Sequence, residues 1–133
     1  MTHSCYCISL RKVSRRLTAV YDEALAPLGI TVSQFSQLRN IKRLQPVSLT
    51  ELAEVLELDR STVGRNTKVL QRMGLVAITA SAEDQRETTL TLTDEALALL
   101  KRATPIWNQV QERIEAKLEA AEFNRLIGAL GDL

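Results

Sequence analysis

Five side chains in one short run, Ser61, Thr62, Arg65, Asn66 and Lys68, bear groups that can read a nucleic-acid duplex. An Arg fork matches a guanine edge, an Asn amide matches adenine, and Lys holds phosphate as a point charge. Small hydroxyls ahead of them let a helix start approach its target closely. Further along stand Asp84 and Arg86. Asp84 can orient the guanidinium of Arg86 by a charge-assisted hydrogen bond. A narrow minor groove, with its enhanced negative potential, attracts such an Arg. The bland alternatives are a solvated helix face and an incidental surface ion pair.

A third group is Cys5 and Cys7. A thiol near a helix start, with Arg11 one turn on, is of the kind that peroxides oxidise. Residues two apart in a helix point to different sides, which argues against a bridge between the two. The commoner alternative is that both are small apolar fillers. His3 with the two Cys makes no complete metal set, so no metal is expected. The chain holds a single His and offers no acid pair or phosphate loop. Neither catalysis nor a cofactor is expected.

The elements that must position these groups are legible around them. Ser48 and Glu51 make an S-x-x-E capping box opening a helix, with Leu49, Leu52, Ala53 and Leu56 on its apolar face. Leu58 falls in a turn, and Asp59 is a good N-cap for a second helix. Val63, Thr67 and Leu70 mark the inner face of that helix, with the five polar side chains and Arg72 mostly outward. Gly64 is a poor helix former within it. Gly74 ends it, pairing Leu70 with Leu75 in a Schellman stop. Residues 75–78 and 89–92 read as two short strands joined by a polar tip at 81–87, which carries Asp84 and Arg86. Two helices at a tight turn followed by a hairpin form a helix-turn-helix with a wing.

The flanks read as helices. Residues 7–28 place Leu10, Val13, Leu17, Val20 and Ala24 on one stripe. Gly29 is a second stop, pairing Leu25 with Ile30. Thr31 and Gln34 cap a helix holding Phe35, Leu38 and Ile41, and Pro46 ends that segment. Thr93, Asp94 and Glu95 open a long helix with Leu97, Leu100, Trp107, Val110, Ile114 and Leu118, which Pro105 should kink or restart. A last helix carries Phe123, Leu126, Ile127 and Leu130. The order is four helices, a hairpin, two helices. The terminal helices are too apolar to stand free, so a second copy is expected to cover them. A two-fold pair also sets two reading helices about 34 Å apart, as a palindrome needs.

A chain of 133 residues holds one modest core. Net charge is only +1, yet seven basic and two acidic residues fall in 1–45, while 46–59 holds four acids and no base. Segregation allows a positive face on a nearly neutral protein. No apolar run has transmembrane length and no signal-type start is visible, so a cytoplasmic protein without membrane contact is expected.

The segments LTELAEVLELDRSTVGR, LQRMGLV, the D-x-R of Asp84 to Arg86, and LTLTDEA together resemble the MarR family of bacterial transcriptional regulators. The resemblance spans nearly the whole chain and is densest over 48–96. It implies one mostly α domain over 1–133. A winged helix-turn-helix core would run from about 33 to 93, flanked by dimerisation helices at about 5–28 and 94–131. It implies a homodimer binding double-stranded DNA at a near-palindromic operator, most simply as a repressor. Base reading would fall on Ser61, Thr62, Arg65, Asn66 and Lys68, and the wing contact on Arg86 with Asp84. The segment CISLRKVSRRLTAVYD resembles the first helix of the organic-hydroperoxide-sensing branch. There Cys7 would be the reactive thiol and Tyr21 its contact; Cys5 of this chain could resolve an oxidised Cys7 across a dimer, while Cys7 and Tyr21 are themselves far apart along one helix. Fourteen residues of helix separate the two by about 21 Å, so they can meet only across a dimer. The alternatives are gating by a small organic effector near Tyr21, Phe35 and Trp107, and a winged-helix protein-interaction module that binds no DNA.

Overall fold

The structure, a computed structural model, describes residues 4–80 and 88–133. Among these residues four helices precede a hairpin and two follow it: α1 Tyr6–Leu25, α2 Val32–Leu44, α3 Leu49–Leu56, α4 Arg60–Arg72, α5 Asp94–Glu115 and α6 Ala120–Gly131. The strands are β1 Val47–Ser48, β2 Val76–Ala80 and β3 Thr88–Leu92. Helix and hairpin order follow the sequence expectation. β1 is an addition to it: the sheet has three antiparallel strands in the order β1-β3-β2, with Val47 opposite Leu90 and Ile78 opposite Leu90 on the other side. Two residues carry no periodicity, so β1 had no signal.

The core is where α2, α3, α4, the sheet and α5 converge. Phe35, Leu38, Ile41, Leu52, Val63, Leu70, Leu90 and Ala103 are essentially inaccessible there. The local stops and caps explain how these side chains arrive. Thr31 and Gln34 form the full reciprocal box at the start of α2. Asp22 of α1 adds a bond, its Oδ1 accepting from the Val32 amide at 2.8 Å. At the end of α4, Gly74 has φ +79. The Leu75 amide donates to Leu70 O at 2.9 Å and the Gly74 amide to Gln71 O at 2.9 Å, the two bonds of the Schellman stop. Leu70 and Leu75 are both buried. Thr93 caps α5 through the Ala96 amide and donates its hydroxyl to Gly74 O at 2.7 Å, tying the end of α4 to the start of α5.

Four local expectations are refined. Ser48 Oγ accepts from the Glu51 amide at 3.0 Å, but the return bond from Glu51 is absent, so only half of that box forms. Asp59 is the N-cap of α4 by backbone geometry but takes no side-chain bond; its position is exposed and water can serve the free amides. α1 gives way at Leu25 to a 3-10 turn, Ala26–Leu28, and Gly29 caps that turn instead. Pro27 has no amide hydrogen to continue the helix. Leu25 and Ile30 are buried as expected. α5 neither breaks nor restarts at Pro105. The proline lies on the exposed side, while Leu100, Ala103 and Val110 hold both halves against the core.

The outer helices are only partly used. On α1, Leu10 and Val13 are exposed and Leu17, Val20 and Ala24 half-buried. No residue of α6 is buried, and Ile127 is 52% accessible. Among the described residues no helix is long and apolar enough to cross a membrane.

Two glycines separate backbone need from mere tolerance. A Cβ at Gly74 would meet Glu95 Oε2 at 2.8 Å in a left-handed conformation, whereas one at helical Gly64 would meet only Leu49 Cδ2 at 3.5 Å. Gly74→Ala should therefore lower stability by about 1–2 kcal/mol and Gly64→Ala raise it by about 0.5–1 kcal/mol. Urea unfolding of both variants checks this; shifts of equal sign would contradict it.

Candidate nucleic-acid interface

The interface is built outward from α4. Val63, Thr67 and Leu70 are buried beneath it. Turning about the helix axis, that anchors one face and leaves the opposite one to solvent. Ser61, Arg65, Asn66, Lys68 and Arg72 are exposed there, and Thr62 is half-buried. Arg65 Nη2 reaches Thr62 Oγ1 at 3.4 Å, a long contact that joins two of the expected base readers. The five expected readers thus share one outward surface on a helix of thirteen residues. Asp84 and Arg86 lie outside the described residues.

The turn before α4 is tight. Glu57 takes φ 53, ψ 45, a left-handed conformation uncommon for a residue with a Cβ. Leu58 returns its amide to Ala53 O at 3.1 Å, closing the turn. α3 therefore meets α4 abruptly, and Gly64 of α4 lies close to Leu49.

A second feature lies beneath α2. A cavity of about 540 Å³ is lined by Tyr21, Val32, Phe35, Ser36, Arg39, Asn40, Arg43 and Trp107. Phe35 and Trp107 are 5.7 Å apart at their centroids. The Arg39 guanidinium lies 4.5 Å from the Trp107 centroid and 5.6 Å from that of Phe35. Such stacking fixes a long side chain by cation–π attraction. Arg43 Nη2 donates to Asn40 Oδ1 at 2.9 Å. The expected aromatic trio of Tyr21, Phe35 and Trp107 does come together. The two arginines were missed, although Phe35, Arg39 and Arg43 recur at four-residue steps on one stripe.

Cys5 and Cys7 are free and exposed. Cys5 is the N-cap of α1, with φ −68 and ψ 125, and so stands outside the helix; the helical argument against pairing does not apply to it. Cys7 lines an apolar groove of about 520 Å³ with Tyr6, Leu10, Arg11, Ser14, Leu130 and Leu133. Tyr21 points elsewhere, donating its hydroxyl to Gln111 Oε1.

The comparisons agree with this geometry. The MarR family model matches residues 28–87. An HTH-type transcriptional repressor of Mycobacterium bovis is 32% identical over 125 residues, covering 92% of this chain and 90% of its own. The chain belongs to the MarR family. Its fold is close to that of the Mycobacterium tuberculosis transcriptional regulator MosR solved in complex with DNA, with TM-score 0.87, 36% identity, and 97% and 95% of the two chains covered. A mutant E. coli MarR complexed with operator DNA gives TM-score 0.80 at 26% identity, with 92% and 89% covered. Family membership makes this a winged-helix fold in the regulator class; placement in the organic-hydroperoxide-sensing branch does not follow.

Tyr21 offers a local check on the packing of α1 against α5. Burial raises its pKa above the ordinary value, and Glu115 raises it further. The neutral phenol is thus favoured in the folded chain. Its contribution is intact below the unfolded value near 10 and is lost as pH rises from there through the folded value. Tyr21→Phe should flatten the alkaline loss of stability, and Glu115→Gln should lower the Tyr21 midpoint in ultraviolet titration. A midpoint unmoved in Glu115→Gln would contradict this packing.

Proposed function

We infer that this protein is a DNA-binding transcriptional regulator that represses by occupying a near-palindromic operator as a homodimer. The single observation that carries this is the outward face of α4. Five hydrogen-bonding side chains are gathered on a helix whose opposite face is locked in the core. Arg65 is assigned a guanine edge, Asn66 an adenine edge, Ser61, Thr62 and Lys68 the flanking edges and phosphates. Arg86, with Asp84, is assigned the minor groove on sequence grounds. α1, α5 and α6 are assigned to dimerisation, with the winged core between them. Support comes from Phe123, Leu126, Ile127 and Leu130 of α6 and Tyr6, Ile8, Leu10 and Val13 of α1, all exposed apolar side chains that a second copy would cover.

The expected behaviour is specific. Operator affinity should fall by on the order of a thousandfold between about 50 and 200 mM salt, because phosphate contacts release counterions. Arg65→Ala should cost about 1–3 kcal/mol at one base position, and Arg86→Ala a similar amount, with both variants still folded dimers. Leu126→Glu with Ile127→Glu should sediment as a monomer and lose the operator. A salt-independent affinity, or a tight-binding monomer, would favour the protein-interaction alternative.

Two readings of the signal remain distinct. The cavity under α2 has an aromatic floor and two guanidiniums, which suits a planar organic anion. Cys7, in the wall of the groove between α1 and the end of α6, suits oxidation by peroxide, with Cys5 as the resolving thiol. Trp107 is the only tryptophan, so its emission reports the cavity cleanly. For the first reading, benzoate should quench Trp107 and release DNA, and Arg39→Ala should abolish both. For the second, organic hydroperoxide should release the parent but not Cys7→Ser, and reductant should reverse it. Release of both proteins alike by peroxide would remove Cys7 from the mechanism, and an unchanged Trp107 signal would remove the anion.

A further inference from the structure

Beneath the reading face, α4 meets α2 through a polar pair in an otherwise apolar layer. Gln37 is 4% exposed and Thr67 is 2% exposed. Gln37 Nε2 donates to Thr67 Oγ1 at 2.8 Å, and Thr67 Oγ1 donates to Val63 O at 2.7 Å. The chain of bonds has one direction. The Thr67 hydroxyl spends its proton on the helix, so its lone pair must be met by a donor, and the Gln37 amide supplies it. A buried polar pair is worth little net stability but is costly to half-remove. Apolar contacts such as Val63 and Leu70 set how deep α4 sits, but being non-directional they leave its rotation less sharply fixed. A short directional bond at the middle of the helix fixes it more sharply.

That matters for the opposite face. Side-chain tips lie about 5–6 Å from a helix axis. A rotation of about 20° would carry them about 2 Å, well outside hydrogen-bond tolerance. Arg65, Asn66 and Lys68 flank Thr67 in sequence and turn with it.

We propose that Gln37 is a positioning residue for base reading: through Thr67 it fixes the rotation of α4 and so aims Arg65 and Asn66. The proposal rests on the DNA-binding reading. It goes beyond it by placing specificity partly in a residue that touches no DNA. α2 also forms the wall of the arginine-lined cavity, on the side of the helix away from Gln37. The bond therefore lies between that cavity and the reading face.

The test compares specific with nonspecific binding. A duplex selected by the parent protein from a random pool serves as the operator, and a scrambled duplex of equal length as the control. Gln37→Met and Thr67→Val keep volume and remove the bond; Thr67→Ser keeps the hydroxyl. Each of the first two should lower the operator-to-control affinity ratio by about ten- to a hundredfold, the loss of one good base contact. The control affinity and salt slope should stay at the parent values, because phosphate contacts are tolerant of small rotations. Thr67→Ser should retain the parent ratio. The double variant should lose no more than Thr67→Val alone, since each variant removes the same Gln37–Thr67 bond. Thermal melting separates aim from stability. The proposal is overturned by a ratio within twofold of parent in either folded apolar variant, or by equal loss in Thr67→Ser. It is also overturned if both apolar variants fail to fold, which would make the pair a stability element. Failure of the parent to select any sequence would instead overturn the DNA-binding reading itself, and the proposal with it.

Discussion

Everything functional in this molecule depends on α4 being anchored along one side. Val63, Thr67 and Leu70 sit at steps of four and three, so they fall on one stripe and vanish into the core together. The remaining residues have nowhere to point but outward. The end of the helix is equally defined. Its Schellman stop buries Leu75 beside Leu70 and turns the chain into β2. The Thr93 hydroxyl then clasps the same stop from the start of α5. A helix fixed in depth, in rotation and at its end can present Arg65 and Asn66 with little entropy left to lose on binding.

The core that provides this anchoring is small, and it draws on α2, α3, the sheet and α5. α6 adds nothing to it, and the first turns of α1 add nothing either. The exposed apolar side chains of α6 and of the first half of α1 form a surface that the proposed second copy would cover. In the proposed dimer, a second copy would both cover α1 and α6 and set the separation of the two reading helices. The groove holding Cys7 and the cavity holding Arg39 lie in the parts of the chain that would relay a change in that separation.

Local features were legible in the sequence wherever a few neighbouring residues decide the outcome. Gly74 with Leu70 and Leu75 is such a case, as is Thr31 with Gln34. The apolar stripes of α2 and α4 were legible from periodicity alone. Features that need a distant partner were not. β1 exists because two residues at the end of α2's connection find β3, and nothing in Val47–Ser48 announces it. Pro105 reads as a kink or a restart, and core packing on both sides carries the helix through without a restart. Arg39 reads as a surface charge, and only the fold brings Trp107 beneath it. Gln37 and Thr67 each look like a polar residue out of place on an apolar stripe; their pairing across thirty positions has no sequence signal. For the site, the outward face of α4 was legible in full, whereas its aim was not.

The central claim is that two copies of α4 read two major grooves on one face of a duplex, with Arg65 on a guanine in each. Methylation interference on the selected operator tests this directly, because N7 methylation blocks an Arg at that edge. Two symmetric interfering guanines are expected, separated by about one helical turn and both relieved in Arg65→Ala. Interference at a single site, or at none, or a pattern unchanged in Arg65→Ala, would contradict it.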